Sequence, residues 1–174
     1  MKILCFGDSN TWGYDPRSYF GSRYDTPWPE HLARISGWEV INDGLNGREI
    51  PDRMAHPSCD LLILMLGTND LLQGSPPEQV SARMEALLKP LTVPVLLISP
   101  PPMARGEWTE ETVIFRSRTL SNQYAALAAE LGVLFCDAGS WNLSLCYDGV
   151  HITEESHIAF AEKLHTFLKK HLFP

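Results

Sequence analysis

The sequence lacks the blocks of lysine and arginine with which proteins bind nucleic acids or anionic membranes. Its 174 residues include 14 Lys and Arg against 21 Asp and Glu, which gives a formal net charge of −7. This acidic balance, without any basic stripe, argues against a nucleic acid or a membrane surface as a partner. We therefore expect the partner to be a small molecule.

Long apolar runs are also missing. The first ten residues, MKILCFGDSN, contain one lysine and a short apolar segment before a polar turn. That segment is too short for the apolar part of a signal peptide and far too short to span a bilayer. The sequence therefore predicts a cytoplasmic protein.

No C-x-x-C pair is present, and no histidine stands at metal-ligand spacing from a cysteine. The four cysteines are scattered along the chain: Cys5, Cys59, Cys136 and Cys146. Because this spacing indicates neither a zinc site nor a redox motif, we predict no metal and no cofactor. We expect reduced thiols that behave as small apolar side chains.

What the chain does contain is an alternation of strand-like and helix-like segments. Apolar residues make up 44% of the sequence, and the length suits one core, so we predict a single domain over residues 1–174. Apolar runs predict strands at residues 3–6, 39–41, 61–66, 93–98 and 133–136. Apolar residues that recur with the spacing of a helix face predict helices at residues 28–36, 77–88, about 112–131 and 153–172. This alternation favours an α/β fold with a buried parallel sheet and helices on both faces.

Polar and reactive side chains collect where the predicted strands end. The blocks are GDSN at residues 7–10, NDGLNGR at 42–48, GTND at 67–70 and DGVH at 148–151. Two long loops, from Gly13 to Pro27 and from Pro100 to Glu111, also follow strands. Since open α/β sheets bind ligands at the carboxyl ends of their strands, we expect a site at this edge.

These blocks, in this order, resemble the motifs of the SGNH or GDSL-type hydrolases over nearly the whole chain. The resemblance implies a three-layer α/β/α flavodoxin-like fold with a five-stranded parallel sheet in the order 2-1-3-4-5. It also implies that Ser9 is a nucleophile, that His151 is its general base and that Asp148 orients His151. A serine hydroxyl needs such a base because it is a weak nucleophile at its own pKa.

The same resemblance implies an oxyanion hole. Its donors would be the backbone N–H groups of Ser9 and Gly47 and the side-chain amide of Asn69. Such donors strengthen as negative charge develops on the substrate oxygen. Asn10 departs from the family pattern, which has leucine there, and we expect it to alter packing or hydrogen bonding beneath the nucleophile.

For the substrate, the stretch GDSNTWGY resembles the aryl- and acetyl-esterase branch of the family. That branch implies short acyl chains on aryl alcohols or carbohydrates. We predict that Trp12, Trp28 and Arg48 line the substrate pocket, with pairing to a nearby acid as the alternative for Arg48. We expect the remaining tryptophans to pack, with the mouth of the site as the alternative for Trp108, because its loop leaves the active edge. An acyl-CoA or thioester hydrolase and a lysophospholipase of the same family stay open as alternatives. Relatives of this type are often multimers, so a homo-oligomer is a further expectation.

Two functions from other classes are also open, because flavodoxin-like sheets carry them. A phosphate- or flavin-binding module would need backbone N–H groups free of a carboxylate after the first strand, where this chain has Asp8. A Mg²⁺-dependent phosphatase would use Asp8, Asp43, Asp70 and Asp148 as oxygen ligands. Taken singly, each of the proposed catalytic residues could also be an ordinary cap or turn residue.

Overall fold

The computed structural model describes residues 1–18, 21–55 and 58–172. The strands are β1 (Lys2–Gly7), β2 (Tyr14–Asp15), β3 (Ser22–Arg23), β4 (Glu39–Gly44), β5 (Leu61–Met65), β6 (Val95–Ser99) and β7 (Leu134–Asp137). The helices are α1 (Ser9–Trp12), α2 (Trp28–Ser36), α3 (Thr68–Leu72), α4 (Pro77–Leu88), α5 (Glu111–Leu131) and α6 (Glu154–Leu172), with a 3-10 helix at Ala138–Trp141.

The main sheet has five parallel strands in the order β4-β1-β5-β6-β7. Counting only these strands along the chain, the order is 2-1-3-4-5, so the predicted topology is confirmed. Gly7 at the end of β1 is level with Gly44 of β4 and Met65 of β5. The polar blocks that follow these three strands therefore begin at one edge of the sheet.

Helices cover both faces of the sheet, which gives the predicted three layers. On one face, β1 and β5 pack with α4 and α5 through residues such as Met84 and Tyr124. On the other face they pack with α2 and α6 through residues such as Trp28 and Phe160. Every side chain of β5 is buried, because neighbouring side chains on a strand point to opposite faces and both faces are covered.

Several short elements were not predicted from the sequence. They are the four-residue helix α1, the small hairpin of β2 and β3, the five-residue helix α3 and the 3-10 helix. Residues 19 and 20, inside the first long loop, lie outside the described residues. The four cysteines are free thiols. In the described part of the chain, no helix combines the length and apolar character needed to cross a membrane.

Candidate active site

Ser9 begins α1 directly after β1. Asp8 caps this helix, since its carboxylate accepts a hydrogen bond from the N–H of Asn10 at 2.9 Å. At Gly7, an added Cβ would lie 2.0 Å from Oγ1 of Thr11. The strand end and the helix thus approach too closely for a larger side chain, and this tight turn presents Ser9 at the sheet edge.

Ser9, His151 and Asp148 form a continuous chain of hydrogen bonds. Nε2 of His151 lies 2.9 Å from Oγ of Ser9, and Nδ1 lies 2.7 Å from Oδ2 of Asp148. The three residues are 6%, 4% and 0% exposed, in the order Ser9, His151, Asp148. When the N–H at Nδ1 donates a hydrogen bond to the carboxylate, Nε2 carries no proton, and its lone pair can accept the proton of Ser9. The structure therefore brings the three predicted residues into the arrangement that a serine nucleophile requires.

Asp148 is stabilised in its ionised form. Burial alone would raise the pKa of its carboxyl, but hydrogen bonds from the His151 ring and from the N–H groups of His151 and Val150 lower this pKa below its ordinary value of 3.8. Oδ1 accepts the two backbone bonds, at 2.8 Å from Val150 and 3.0 Å from His151. At neutral pH the carboxylate is available to orient the imidazole and to stabilise its protonated form.

The loop between β6 and α5 packs backbone to backbone against the turn that carries Asp148. The N–H of Ala104 donates to the carbonyl of Gly149 at 3.0 Å, and the N–H of Trp108 donates to the carbonyl of Asp148 at 3.1 Å. An added Cβ at Gly106 would lie 2.2 Å from the backbone of Asp148. This second long loop therefore braces the turn and brings Trp108 to the site.

The three predicted oxyanion donors line one cavity. Gly47 is the third residue of a turn closed by the N–H of Arg48 and the carbonyl of Leu45 at 3.1 Å. Its φ of +73° lies in the left-handed region that a type II turn requires at this position. Nδ2 of Asn69 donates to the carbonyl of Arg48 at 3.0 Å, and an amide carries a second N–H that can point to substrate.

An ion pair ties the segment after Gly47 to α3 and α4. Arg83 lies 2.6 Å from Oδ1 of Asp70 and 3.1 Å from Oε2 of Glu49. Asp70 also accepts the N–H of Ile50 at 3.1 Å. Burial raises the pKa of Asp70 even though the Ile50 N–H and Arg83 oppose it. Asp70, which adjoins Asn69, therefore acts as a buried strut of the oxyanion segment.

The cavity at this edge has a volume of about 270 Å³, and Ser9 and His151 lie in its wall. Tyr14 and Trp108 form much of the remainder. Their ring centroids lie 4.6 Å and 5.4 Å from that of His151. From the sequence, the mouth was only an alternative for Trp108 and Tyr14 was not assigned to the pocket, although both stand on the two long loops that follow strands.

The structure places the two predicted pocket tryptophans elsewhere. Trp28 is fully buried in the core, with its ring centroid 4.8 Å from that of Phe160. It begins α2 on the face that also carries Leu32, so it packs under the sheet. Trp12 stacks under the guanidinium of Arg23 at 5.8 Å and is not part of the cavity wall that the described residues form.

Arg48, the third predicted pocket residue, turns back toward the sheet. Its guanidinium donates to the carbonyl of Gly7 at 3.1 Å and pairs with Oδ1 of Asp43 at 3.0 Å. It also lies 4.0 Å above the ring of Phe6. Arg48 therefore fastens the oxyanion turn to the ends of β1 and β4 and does not face the cavity.

The carboxylates of the phosphatase alternative face separate partners. Asp43 pairs with Arg48, Asp70 pairs with Arg83 and Asp148 pairs with His151. In residues 1–18, 21–55 and 58–172, no group of three or more His, Cys, Asp or Glu side chains is placed to hold a metal ion.

Comparisons with known proteins agree with this geometry. Residues 5–158 match the model of the GDSL-like lipase/acylhydrolase family. The native M. smegmatis aryl esterase is 30% identical, with a TM-score of 0.86 over 97% of this chain and 98% of that one. Est24, a carbohydrate acetylesterase from Sinorhizobium meliloti, is 28% identical, with a TM-score of 0.87 over 99% of each chain. A comparison with curated proteins found no match.

Proposed function

The chain belongs to the GDSL-like lipase/acylhydrolase family and is an esterase, and we propose that it cleaves short-acyl esters of aryl alcohols or carbohydrates through an acyl-enzyme on Ser9. The observation that carries this proposal is the hydrogen-bonded chain from Ser9 through His151 to Asp148. It supplies a nucleophile, a base and an orienting carboxylate in one buried line.

The reaction follows from that line in two steps. In the first, Oγ of Ser9 attacks the acyl carbon while Nε2 of His151 takes its proton, and His151 then gives the proton to the departing alcohol. In the second, His151 takes a proton from water as the water oxygen attacks the acyl carbon, and His151 then gives that proton to Oγ of Ser9 as its bond to the acyl carbon breaks and the carboxylic acid leaves. The N–H groups of Ser9 and Gly47 and the amide of Asn69 stabilise the oxyanion in both steps.

The size and lining of the cavity support a short acyl group. Beside Ser9 the space is about 270 Å³, and Tyr14, Trp108 and Leu72 form apolar parts of its wall. An acetyl or similar group fits within such a space, whereas a long alkyl chain would have to pass the aromatic rings.

A second, polar groove supports a hydroxyl-rich or aromatic alcohol as the leaving group. This groove has a volume of about 650 Å³ and shares Tyr14 and Asn46 with the cavity at Ser9. Arg17, Ser18 and Tyr147 add charged and hydroxyl groups to its wall. The likeness to an aryl esterase and a carbohydrate acetylesterase favours the same class of substrate.

Replacing the nucleophile tests the mechanism. We expect Ser9→Ala to keep its fold by circular dichroism and to lose roughly 10³-fold or more of p-nitrophenyl acetate hydrolysis. Ser99→Ala is the matched control, because Ser99 is also a buried serine at a strand end and its hydroxyl has no hydrogen-bond partner in the described structure. Unaltered turnover in Ser9→Ala would exclude the mechanism.

An acyl-length series tests the substrate class. With p-nitrophenyl esters, we expect kcat/KM to fall from acetyl to octanoyl, because the longer chains exceed the cavity. Acetylated sugars and aryl acetates then compare the two alcohol classes. A preference for octanoyl over acetyl would contradict the short-acyl assignment while leaving the Ser9 mechanism in place.

A further inference from the structure

We propose that Asn10 is a positioning residue that holds His151 in line with Ser9 throughout the reaction, including the stage at which Ser9 is acylated. The proposal rests on the proposed function, since it presupposes that His151 serves Ser9 and then water. Nothing in the family pattern requires an amide at this position, where that pattern has leucine.

The side chain of Asn10 brackets His151 on both sides. Nδ2 donates to the carbonyl of Val150 at 3.2 Å, and Oδ1 accepts the N–H of Ile152 at 2.9 Å. Asn10 is 3% exposed, so water does not compete readily for these bonds. Because Asn10 directly follows Ser9 in α1, the two bonds join the nucleophile's helix to the segment of the base.

Only an amide satisfies both partners. The carbonyl of Val150 needs a donor and the N–H of Ile152 needs an acceptor, and a primary amide supplies one of each. A leucine at Asn10 would supply neither and would leave two buried backbone groups without partners. An aspartate would accept from Ile152 but would set a carboxylate oxygen against the carbonyl of Val150.

The other bonds of the His151 segment lie within it or run to the loop between β6 and α5. Asp148 accepts the N–H groups of Val150 and His151, and the N–H of Cys146 donates to the carbonyl of His151 at 2.7 Å. The N–H groups of Ala104 and Trp108 donate from the loop to the carbonyls of Gly149 and Asp148. None of these bonds runs to α1. In the described residues, α1 is joined to residues 148–152 by the Ser9–His151 contact and by the two bonds of Asn10.

The difference between the Ser9–His151 contact and the two bonds of Asn10 matters in the acyl-enzyme. Once Oγ of Ser9 carries the acyl group, it has no proton to donate to His151, so one of the three links weakens. The two bonds of Asn10 are unaffected by acylation and keep Nε2 of His151 facing the acyl carbon. Water activation depends on that alignment, because a small displacement of a base costs a large part of its effect.

Stopped-flow hydrolysis of p-nitrophenyl acetate tests the proposal with Asn10→Leu. We expect kcat to fall about tenfold or more, with a smaller loss in kcat/KM and a burst of p-nitrophenol close to one per active site. The burst reports acyl-enzyme that forms but is slow to hydrolyse. A loss of general stability would not separate the two steps in this way.

Ser156→Ala is the matched control. Ser156 is 4% exposed, and its hydroxyl makes two bonds to the backbone of Ser144, at 2.8 and 3.0 Å. The control therefore removes two part-buried bonds to the segment that leads to His151, and we expect it to lower Tm and to leave kcat at the wild-type value. If Asn10→Leu kept wild-type kcat, or lost no more than Ser156→Ala, the proposal would be overturned.

Two further variants keep the test decisive. If Asn10→Leu does not fold, Asn10→Asp preserves the shape and the bond from Ile152, and we expect a smaller fall in kcat with the same burst. Wild-type kcat without added burst in Asn10→Asp would then overturn the proposal. Ser9→Ala distinguishes failure of the Asn10 proposal from failure of the proposed function. An active Ser9→Ala variant would show that Ser9 is not the nucleophile, which is the premise of the Asn10 proposal.

Discussion

The triad and the mouth of the cavity share one edge of the sheet but are built differently. The triad is Ser9, His151 and Asp148, all buried and joined side chain to side chain. We define the mouth by Tyr14, which is partly exposed, and by Trp108, which is 49% exposed. The mouth is held mainly by backbone turns and loop packing, whereas the triad is held by buried hydrogen bonds.

This contrast separates reaction from selection. Buried bonds such as that between Asp148 and His151 act on every substrate equally, because they set the base and not the pocket. Exposed groups such as Trp108 contact the part of the substrate that varies. Changes in the triad should therefore reduce turnover of all esters, and changes at the mouth should alter the ranking of esters.

Among changes that keep the nucleophile, the largest effect is expected from Asp148→Asn, which keeps the shape of the triad and reverses one hydrogen bond. The amide can still accept the N–H groups of Val150 and His151, but it would donate to Nδ1 of His151. That places the imidazole proton on Nε2, which can then no longer accept the proton of Ser9. We expect kcat for p-nitrophenyl acetate to fall about 10⁴-fold, with acetyl and butyryl esters affected alike.

The control for this change is Asp137→Asn. Asp137 also stands at a strand end and accepts a backbone bond, from the N–H of Gly139 at 2.9 Å. Its replacement should leave kcat unchanged. Near-normal activity in Asp148→Asn would contradict the distinction between the triad and the mouth, because the buried carboxylate would then not determine which ring nitrogen of His151 carries the proton.

Asn69→Ala tests the boundary between the two regions, since this side chain lines the cavity but acts on the reacting oxygen. We expect kcat to fall about 10²- to 10³-fold, because the amide is one of three donors to the oxyanion. KM should change little, since the negative charge develops only in the transition state. A higher KM with normal kcat would instead assign Asn69 to ground-state binding. Asn122→Ala, an exposed amide on α5, provides the control.

Trp108→Ala should change selection more than rate. Trp108 and Leu72 line both the cavity at Ser9 and a neighbouring groove of about 380 Å³. Without the indole the two spaces can join, and each buried methylene of an acyl chain then contributes up to about 0.8 kcal/mol. We expect the ratio of kcat/KM for hexanoyl over acetyl esters to rise about tenfold.

Phe115→Ala is the control for the aromatic at the mouth. Phe115 is 72% exposed on α5, so its loss removes a surface ring without opening the cavity. An unchanged acyl ranking in Trp108→Ala would show that the two spaces are not divided by this side chain.

The fold was predictable because its long elements carry periodic signals. The helices at Trp28–Ser36 and Pro77–Leu88 have the predicted bounds, since their apolar faces and their flanking glycine or prolines mark both ends. The hairpin of β2 and β3 has two residues in each strand. Elements of that length are too short for any periodicity, so tertiary packing alone decides them.

The candidate site was predictable to the extent that motifs fix positions at strand ends. Ser9 follows β1, and His151, in the turn before α6, reaches the same edge because the chain leaves the parallel strand β7 there. Tyr14 was missed, and Trp108 was placed at the mouth only as an alternative, because the path of a long loop is set by packing, such as the approach of Gly106 to Asp148. Trp28 was assigned to the pocket, although its spacing of four residues from Leu32 indicates a buried helix face.

Two buried carboxylates on the triad side, Asp148 and Asp8, have opposite pKa shifts, and this predicts an effect on stability. Burial raises the pKa of Asp8 to about 6 from 3.8, and the bond from the N–H of Asn10 only partly offsets it. For Asp148, hydrogen bonds outweigh burial and lower the pKa. Ionised Asp148 therefore stabilises the fold above its unfolded pKa, whereas ionised Asp8 destabilises it.

Asp8→Asn tests whether ionised Asp8 destabilises the fold, through the pH dependence of the free energy of unfolding. The folded protein keeps the Asp8 proton up to about pH 6, whereas the unfolded chain releases it near its ordinary value of 3.8. The contribution of Asp8 to stability therefore falls as pH rises between these values and stays low above pH 6.

Asparagine keeps the oxygen that accepts the N–H of Asn10 but cannot ionise. We expect the variant to be more stable than wild type at pH 8, by up to about 3 kcal/mol, and similar to wild type at pH 4. Urea unfolding at the two pH values measures this difference. A gain in stability of equal size at both pH values would mean that the gain comes from packing and not from charge.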